Sequence, residues 1–83
     1  MNKLIYISAT WCGPCRTFGP TMEKVAATGI PVQKADADQD RQVLTDYQIG
    51  SVPAVIKVDS SGKMLDKFIG VKSMQEVVAF YNG

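Results

Sequence analysis

The sequence predicts a single α/β domain over residues 1–83, a four-stranded mixed sheet flanked by helices in the order βαβαββα. Three observations lead there. The run Leu4-Ile5-Tyr6-Ile7 is apolar on both faces, as a central buried strand is. An amphipathic stretch and a second strand-like run follow at the spacing of a βαβ unit. The first two strands are therefore expected to be parallel, joined by a right-handed crossover. Near the end, two runs separated by a turn lead into a helix with a capping-box sequence.

The first strand is read over Leu4–Ser8, and Ser8-Ala9-Thr10 leaves it. A helix is expected to open at Cys12-Gly13-Pro14, where the missing N–H of an early proline costs nothing. Phe18, Met22 and Val25 fall at i, i+4 and i+7 on one face of that helix. Pro20 lies inside it and is expected to kink it. Thr28-Gly29 ends it, with Gly29 as a left-handed cap. Ile30–Asp36 reads as the second strand, with Pro31 at its start. Asp38 is the expected N-cap of a short helix carrying Val43, Leu44 and Tyr47. Ala54–Val58 is the third strand, Asp59-Ser60-Ser61-Gly62 a turn, and Lys63–Ile69 an alternating fourth strand. Ser73-Met74-Gln75-Glu76 opens the last helix, whose expected buried face is Met74, Val77, Val78 and Tyr81.

Composition narrows the function. Nine Lys/Arg stand against eight Asp/Glu, a net charge of +1, which leaves no electrostatic footprint for nucleic acid or an anionic membrane. There is no His, which removes histidine acid/base chemistry and most metal sites. The carboxylates Asp36, Asp38 and Asp40 are read as strand-end and helix-start residues rather than a cation site. The apolar run Leu4–Ile7 is far below the ~20 residues that span a bilayer. It is also too short for a signal-peptide core, so a cytoplasmic location with reduced thiols is expected. A monomer is expected, with no nucleic-acid or membrane partner.

The chemistry centres on the only two cysteines, in Trp11-Cys12-Gly13-Pro14-Cys15. Three plain readings compete with a catalytic one. A structural disulfide closing so short a loop would contribute only ~2 kcal/mol, against ~4.5 kcal/mol for a bridge across most of a domain. A structural zinc ion wants four ligands, and two are on offer. Inert core thiols fit poorly with a helix starting between them. The catalytic reading has a physical basis. A thiol at a helix N-terminus faces unpaired N–H groups and the positive end of the dipole, which favour thiolate over thiol. The second cysteine lies one turn on. Cys12 would attack a substrate disulfide, and Cys15 would then attack Cys12 and release the reduced substrate.

At Trp11-Cys12-Gly13-Pro14-Cys15 the sequence resembles the thioredoxin family, and the likeness runs over nearly the whole chain. Pro20 sits where that family kinks its active-site helix. Lys34 and Asp38 match its Lys and Asp on and after the second core strand. Tyr47-Gln48-Ile49-Gly50-Ser51-Val52-Pro53 resembles the stretch leading to its cis-proline, and Gly70 its glycine beside the active site. The resemblance implies a thioredoxin-like fold and a cis Val52–Pro53 bond, where base rates alone would favour trans. It also implies that Val52 offers its backbone to a substrate chain as an added strand would. Trp11, Gly13, Pro14, Val52, Pro53, Ile69 and Gly70 are then expected to form a flat, apolar, protein-binding face around Cys12.

Two departures from the family stand out. Leu4–Ile7 corresponds to its central strand, so its first strand and helix have no counterpart, and an edge is expected to be open or otherwise protected. Small glutaredoxin-like domains share this shorter core. Tyr6 stands where the family buries an Asp as proton acceptor for the second cysteine, and a phenol of pKa about 10 is a poor base at neutral pH. Tyr6 is expected to fill the space and hydrogen-bond, with Cys15 losing its proton to water, Lys34 or the leaving thiolate. A snorkelling surface lysine is the equal alternative for Lys34.

The resemblance implies a dithiol–disulfide oxidoreductase that reduces protein disulfides. It needs no bound cofactor, and its electrons come from NADPH through a flavoprotein thioredoxin reductase. A glutaredoxin-like protein recharged by glutathione is the redox alternative. A non-redox assembly module using the same face is the alternative from another class.

Overall fold

A computed structural model describes residues 1–83. Its elements are β1 (Lys3–Ser8), α1 (Gly13–Ala27), β2 (Val32–Asp36), α2 (Arg41–Asp46), β3 (Ala54–Val58), β4 (Met64–Ile69) and α3 (Met74–Asn82). The four strands form one sheet in the order β2-β1-β3-β4. β1 runs parallel to β2, and β1–β3 and β3–β4 are antiparallel. The expected βαβαββα order and mixed sheet are therefore present.

The alternation of strand residues divides the core in two. Ile5 and Ile7 of β1, with Ala54, Ile56 and Val58 of β3, face α2 and pack with Cys12, Cys15 and Ile49. Leu4 and Tyr6, with Val55, face α1 and α3 and pack with Phe18, Met22, Val25 and Val77. The predicted face of α1 is thus its buried face. Both central strands carry apolar side chains on both sides, which is why β1 read as one unbroken apolar run. Phe18 links that second layer outward, edge-on to Tyr6 and to Phe68, which in turn stands edge-on to Phe80.

Several expectations need correction. The second strand begins at Val32, not Ile30, although Pro31 still accepts a bond from Leu4 N–H at 2.9 Å. Asp38 does not cap α2. The helix starts at Arg41 after Asp40, and its first turn has no side-chain cap. Asp36 instead accepts the N–H groups of Asp38 and Gln39, while Asp40 reaches back to the Asp36 N–H at 2.8 Å. That exchange shapes a turn at residues 37–40, which delays the helix. Alternation in β4 buries little, because β4 is an edge strand; Met64 and Leu65 are exposed. Of the predicted α3 face only Val77 is fully buried, with Met74, Val78 and Tyr81 half-covered. Pro20 lies within α1 as expected and is exposed to solvent.

Composition gave no sign of Lys57, a charged residue in the middle of β3 that is only 6% exposed. Its ammonium donates to the carbonyls of Phe80 and Gly83, at 3.3 and 2.6 Å. A cation on the last carbonyls of a helix satisfies acceptors that have no partner within the helix and opposes the dipole there.

Candidate active site

The loops after β1 and β2 leave the sheet on the same side, because the two strands are parallel neighbours. The loop after β1 carries Trp11 and Cys12 into α1. Cys12 is the N-cap of α1: its backbone is extended, and its sulfur accepts the Cys15 N–H at 3.2 Å. Pro14 occupies the first turn, where no N–H is needed. Cys12 and Cys15 are joined as a disulfide with Cα atoms 5.3 Å apart, and they are 5% and 7% exposed. The sulfur of Cys12 thus sits where an uncompensated N–H points at it. In the reduced pair that donor favours the thiolate.

Val52–Pro53 is cis, as the resemblance implies. Pro53 is buried, and its carbonyl accepts the Gly70 N–H at 2.9 Å, which ties the loop after β4 to the proline loop. Gly70 takes a φ of +99°, a conformation that L side chains rarely adopt. Val52 packs against the cluster containing both cysteines. Neither its N–H nor its carbonyl has a partner within the chain. Trp11 is 67% exposed and Ile69 48%, and Gly13 and Pro14 are also open to solvent. Trp11, Gly13 and Pro14 adjoin Cys12 along the chain, and Val52, with its backbone unpaired, packs against the cysteine cluster.

The supporting residues divide. Tyr6 is 2% exposed, and its hydroxyl donates to the Cys15 carbonyl at 3.4 Å. Burial raises its pKa above the ordinary phenol value, partly offset by a hydrogen bond with Ser8. Lys34 is exposed and pairs with Glu23 of α1 at 3.8 Å. It also lines a cavity of about 260 Å³ that reaches Tyr6 and Cys15. Pro20 lies along α1, one turn and more beyond Cys15, and is exposed.

Sequence reasoning missed two features. The Trp11 indole N–H donates to the Asp38 carboxylate at 3.0 Å, so Asp38 orients the exposed ring instead of capping α2. The signal was the topology, since residues following adjacent parallel strands must meet. The second feature is a groove of about 380 Å³ lined by Trp11, Val52 and, from α2, Arg41, Leu44 and Thr45.

The thioredoxin family model matches residues 1–82. The chain is similar to the mitochondrial thioredoxin of Bos taurus, 36% identical over 75 residues that cover 87% of this chain and 45% of that one. It therefore spans about half the length of that relative. It is also similar to the thioredoxin of Mycoplasmoides gallisepticum, 41% identical over 73 residues, covering 83% and 72% of the two chains. Among solved structures, Fasciola hepatica thioredoxin superposes with a TM-score of 0.86 at 25% identity, covering 98% of this chain and 78% of that one. Its sheet order, its cysteine pair at the start of α1 and these matches agree: the chain belongs to the thioredoxin family.

Proposed function

We propose that this protein is a dithiol–disulfide oxidoreductase that reduces disulfides in other proteins through Cys12 and Cys15. The observation that carries the reading is the Cys12 sulfur at the N-cap of α1, accepting the Cys15 N–H, with its partner sulfur one turn away. Reduced Cys12 attacks a substrate disulfide. One substrate sulfur bonds to Cys12, and the other leaves as thiolate and takes up a proton. Cys15 then loses its proton and attacks Cys12, which expels the second substrate sulfur. Two electrons have passed from the pair to the substrate, and the disulfide between Cys12 and Cys15 remains.

The substrate chain docks beside Val52, whose unpaired N–H and carbonyl suit an added extended segment. The exposed apolar surfaces of Trp11, Pro14 and Ile69 cover the flanking residues. Recharging draws on NADPH through a thioredoxin reductase, and a reducing, cytoplasmic setting is part of the same reading. The test is turnover of a disulfide-bonded protein by the full chain. One arm supplies NADPH and a thioredoxin reductase, and the other glutathione with its reductase. Turnover in the first arm supports the proposal. Turnover in the second arm alone replaces the reductase by glutathione, and turnover in neither removes the redox reading.

A further inference from the structure

The largest cavity of the molecule adjoins the cysteine site and contains neither cysteine. It is lined by Trp11, by Arg41, Leu44 and Thr45 of α2, and by Ser51 and Val52 ahead of the cis proline. A chain laid along Val52 to bring its disulfide to Cys12 continues into this groove. Its lining is part apolar, through Trp11, Leu44 and Val52. The charges in it are unequal in what they still have to offer. Asp38 already accepts the Trp11 indole N–H. The Arg41 guanidinium makes no hydrogen bond, and the one ion pair in the molecule is Lys34–Glu23. A planar cation with five donors and no partner is a carboxylate receptor.

Building on the redox reading above, we infer that the groove is a specificity subsite. Arg41 selects protein disulfides that carry an Asp or Glu side chain within a few residues of the target cysteine. Leu44 and Trp11 hold the intervening apolar side chain. The free donors of Arg41 reach the carboxylate, which is charge-assisted but open to solvent. The preference is therefore modest and falls with salt.

The experiment uses the full chain, reduced beforehand, and matched disulfide-bonded peptides. Each carries Asp, Asn or Lys in turn at the neighbouring positions on either side of the target cysteine. The second-order rate of peptide reduction is followed by the emission of Trp11, the only tryptophan. At one position the Asp peptide is expected to react about two- to five-fold faster than its Asn counterpart, the scale of an exposed ion pair. The Lys peptide is expected to be slower than both. Arg41→Gln should erase the difference between the Asp and Asn peptides, and Arg41→Glu should invert it. Equal rates for all peptides, or a difference that survives Arg41→Gln, would overturn the subsite and leave the redox reading intact. Absence of reduction for every peptide is failure of the redox reading itself.

Discussion

The Tyr6 hydroxyl donates to the backbone carbonyl of Cys15 at 3.4 Å, from a ring that is 2% exposed and stands edge-on to Phe18. The phenol fills the space behind the second cysteine and fastens to its backbone, not its sulfur. Burial holds it protonated, so it offers no base there at neutral pH. Tyr6→Asp should accelerate Cys15 attack on a mixed disulfide by at least about tenfold, a small part of what a positioned base can give. It should also cost about 3 kcal/mol or more, because it deletes a buried ring and buries a carboxyl. Tyr6→Phe keeps the ring and should leave the resolution rate unchanged. Single-turnover kinetics of the two variants decide the matter; an unaccelerated Tyr6→Asp that is still folded would refute it.

The pH dependence of stability follows from the same phenol and two carboxylates. Tyr6 has its pKa raised by burial, so its contribution is complete below 10.0 and is lost as pH rises through the folded value. Asp59 is lowered, mainly by the Ser61 hydroxyl, and Glu76 by the Ser73 backbone N–H. Their contributions are present above the ordinary values of 3.8 and 4.5 and are lost as pH falls through the lower folded values. Denaturant midpoints should be level across the neutral range and decline on both sides. Tyr6→Phe should remove much of the alkaline decline, and an unchanged alkaline limb would count against the assignment.

The legible parts of the fold are those where one physical requirement dominates. β1 and β3 are buried on both faces, which calls for apolar residues from Leu4 to Ile7 and at every position of β3 except Lys57. The Ser73–Glu76 capping box is present as read, because its two partners are fixed by sequence spacing. The start of α2 was misread because Asp36, Asp38 and Asp40 can all cap a helix, and only tertiary contact assigns them. Trp11 takes Asp38, which leaves Asp36 and Asp40 to build the turn. Lys57 escaped notice because its partners, the Phe80 and Gly83 carbonyls, are backbone atoms far along the chain. At the site, the cysteines and the cis-proline loop were legible through resemblance. The groove beside them was not, since it is made by three segments that have no common motif.

The Trp11–Asp38 bond is a third testable feature. Both partners are exposed, so Asp38→Ala should cost less than about 1 kcal/mol. The freed indole should occupy several orientations over the site. Reduction of a protein disulfide should slow about threefold through poorer positioning, and Trp11 emission should change. A stability loss without any kinetic effect would show that Asp38 serves the fold alone.

The end of α2 holds a strained residue. Gln48 has φ +55°, with its N–H on the Thr45 carbonyl and the Ile49 N–H on the Leu44 carbonyl. This is the helix-ending turn that glycine favours. Lys67 caps the same end through the carbonyls of Tyr47 and Gln48, which a glycine retains. Gln48→Gly should raise stability by about 0.5–1 kcal/mol, or about 3–6 °C in Tm for a domain of this size. A lower Tm would mean that the Gln48 side chain contributes more than its backbone costs.

The order of attack assigns different fates to the two cysteines. Cys12 has the helix-terminal N–H on its sulfur, and Cys15 sits inside the first turn with its carbonyl held by Tyr6. If Cys12 attacks first, Cys15→Ser leaves the covalent intermediate without its resolving thiol. The variant should accumulate as mixed disulfides with substrate on a non-reducing gel, and turnover should fall by at least about a hundredfold. Cys12→Ser should lose turnover equally and trap nothing, because the first bond never forms. Adding free dithiol should release substrate from the Cys15→Ser complex and restore a single band. Trapping by Cys12→Ser and not by Cys15→Ser would reverse the roles of the two sulfurs. That would also mean that the N-cap position does not select the nucleophile.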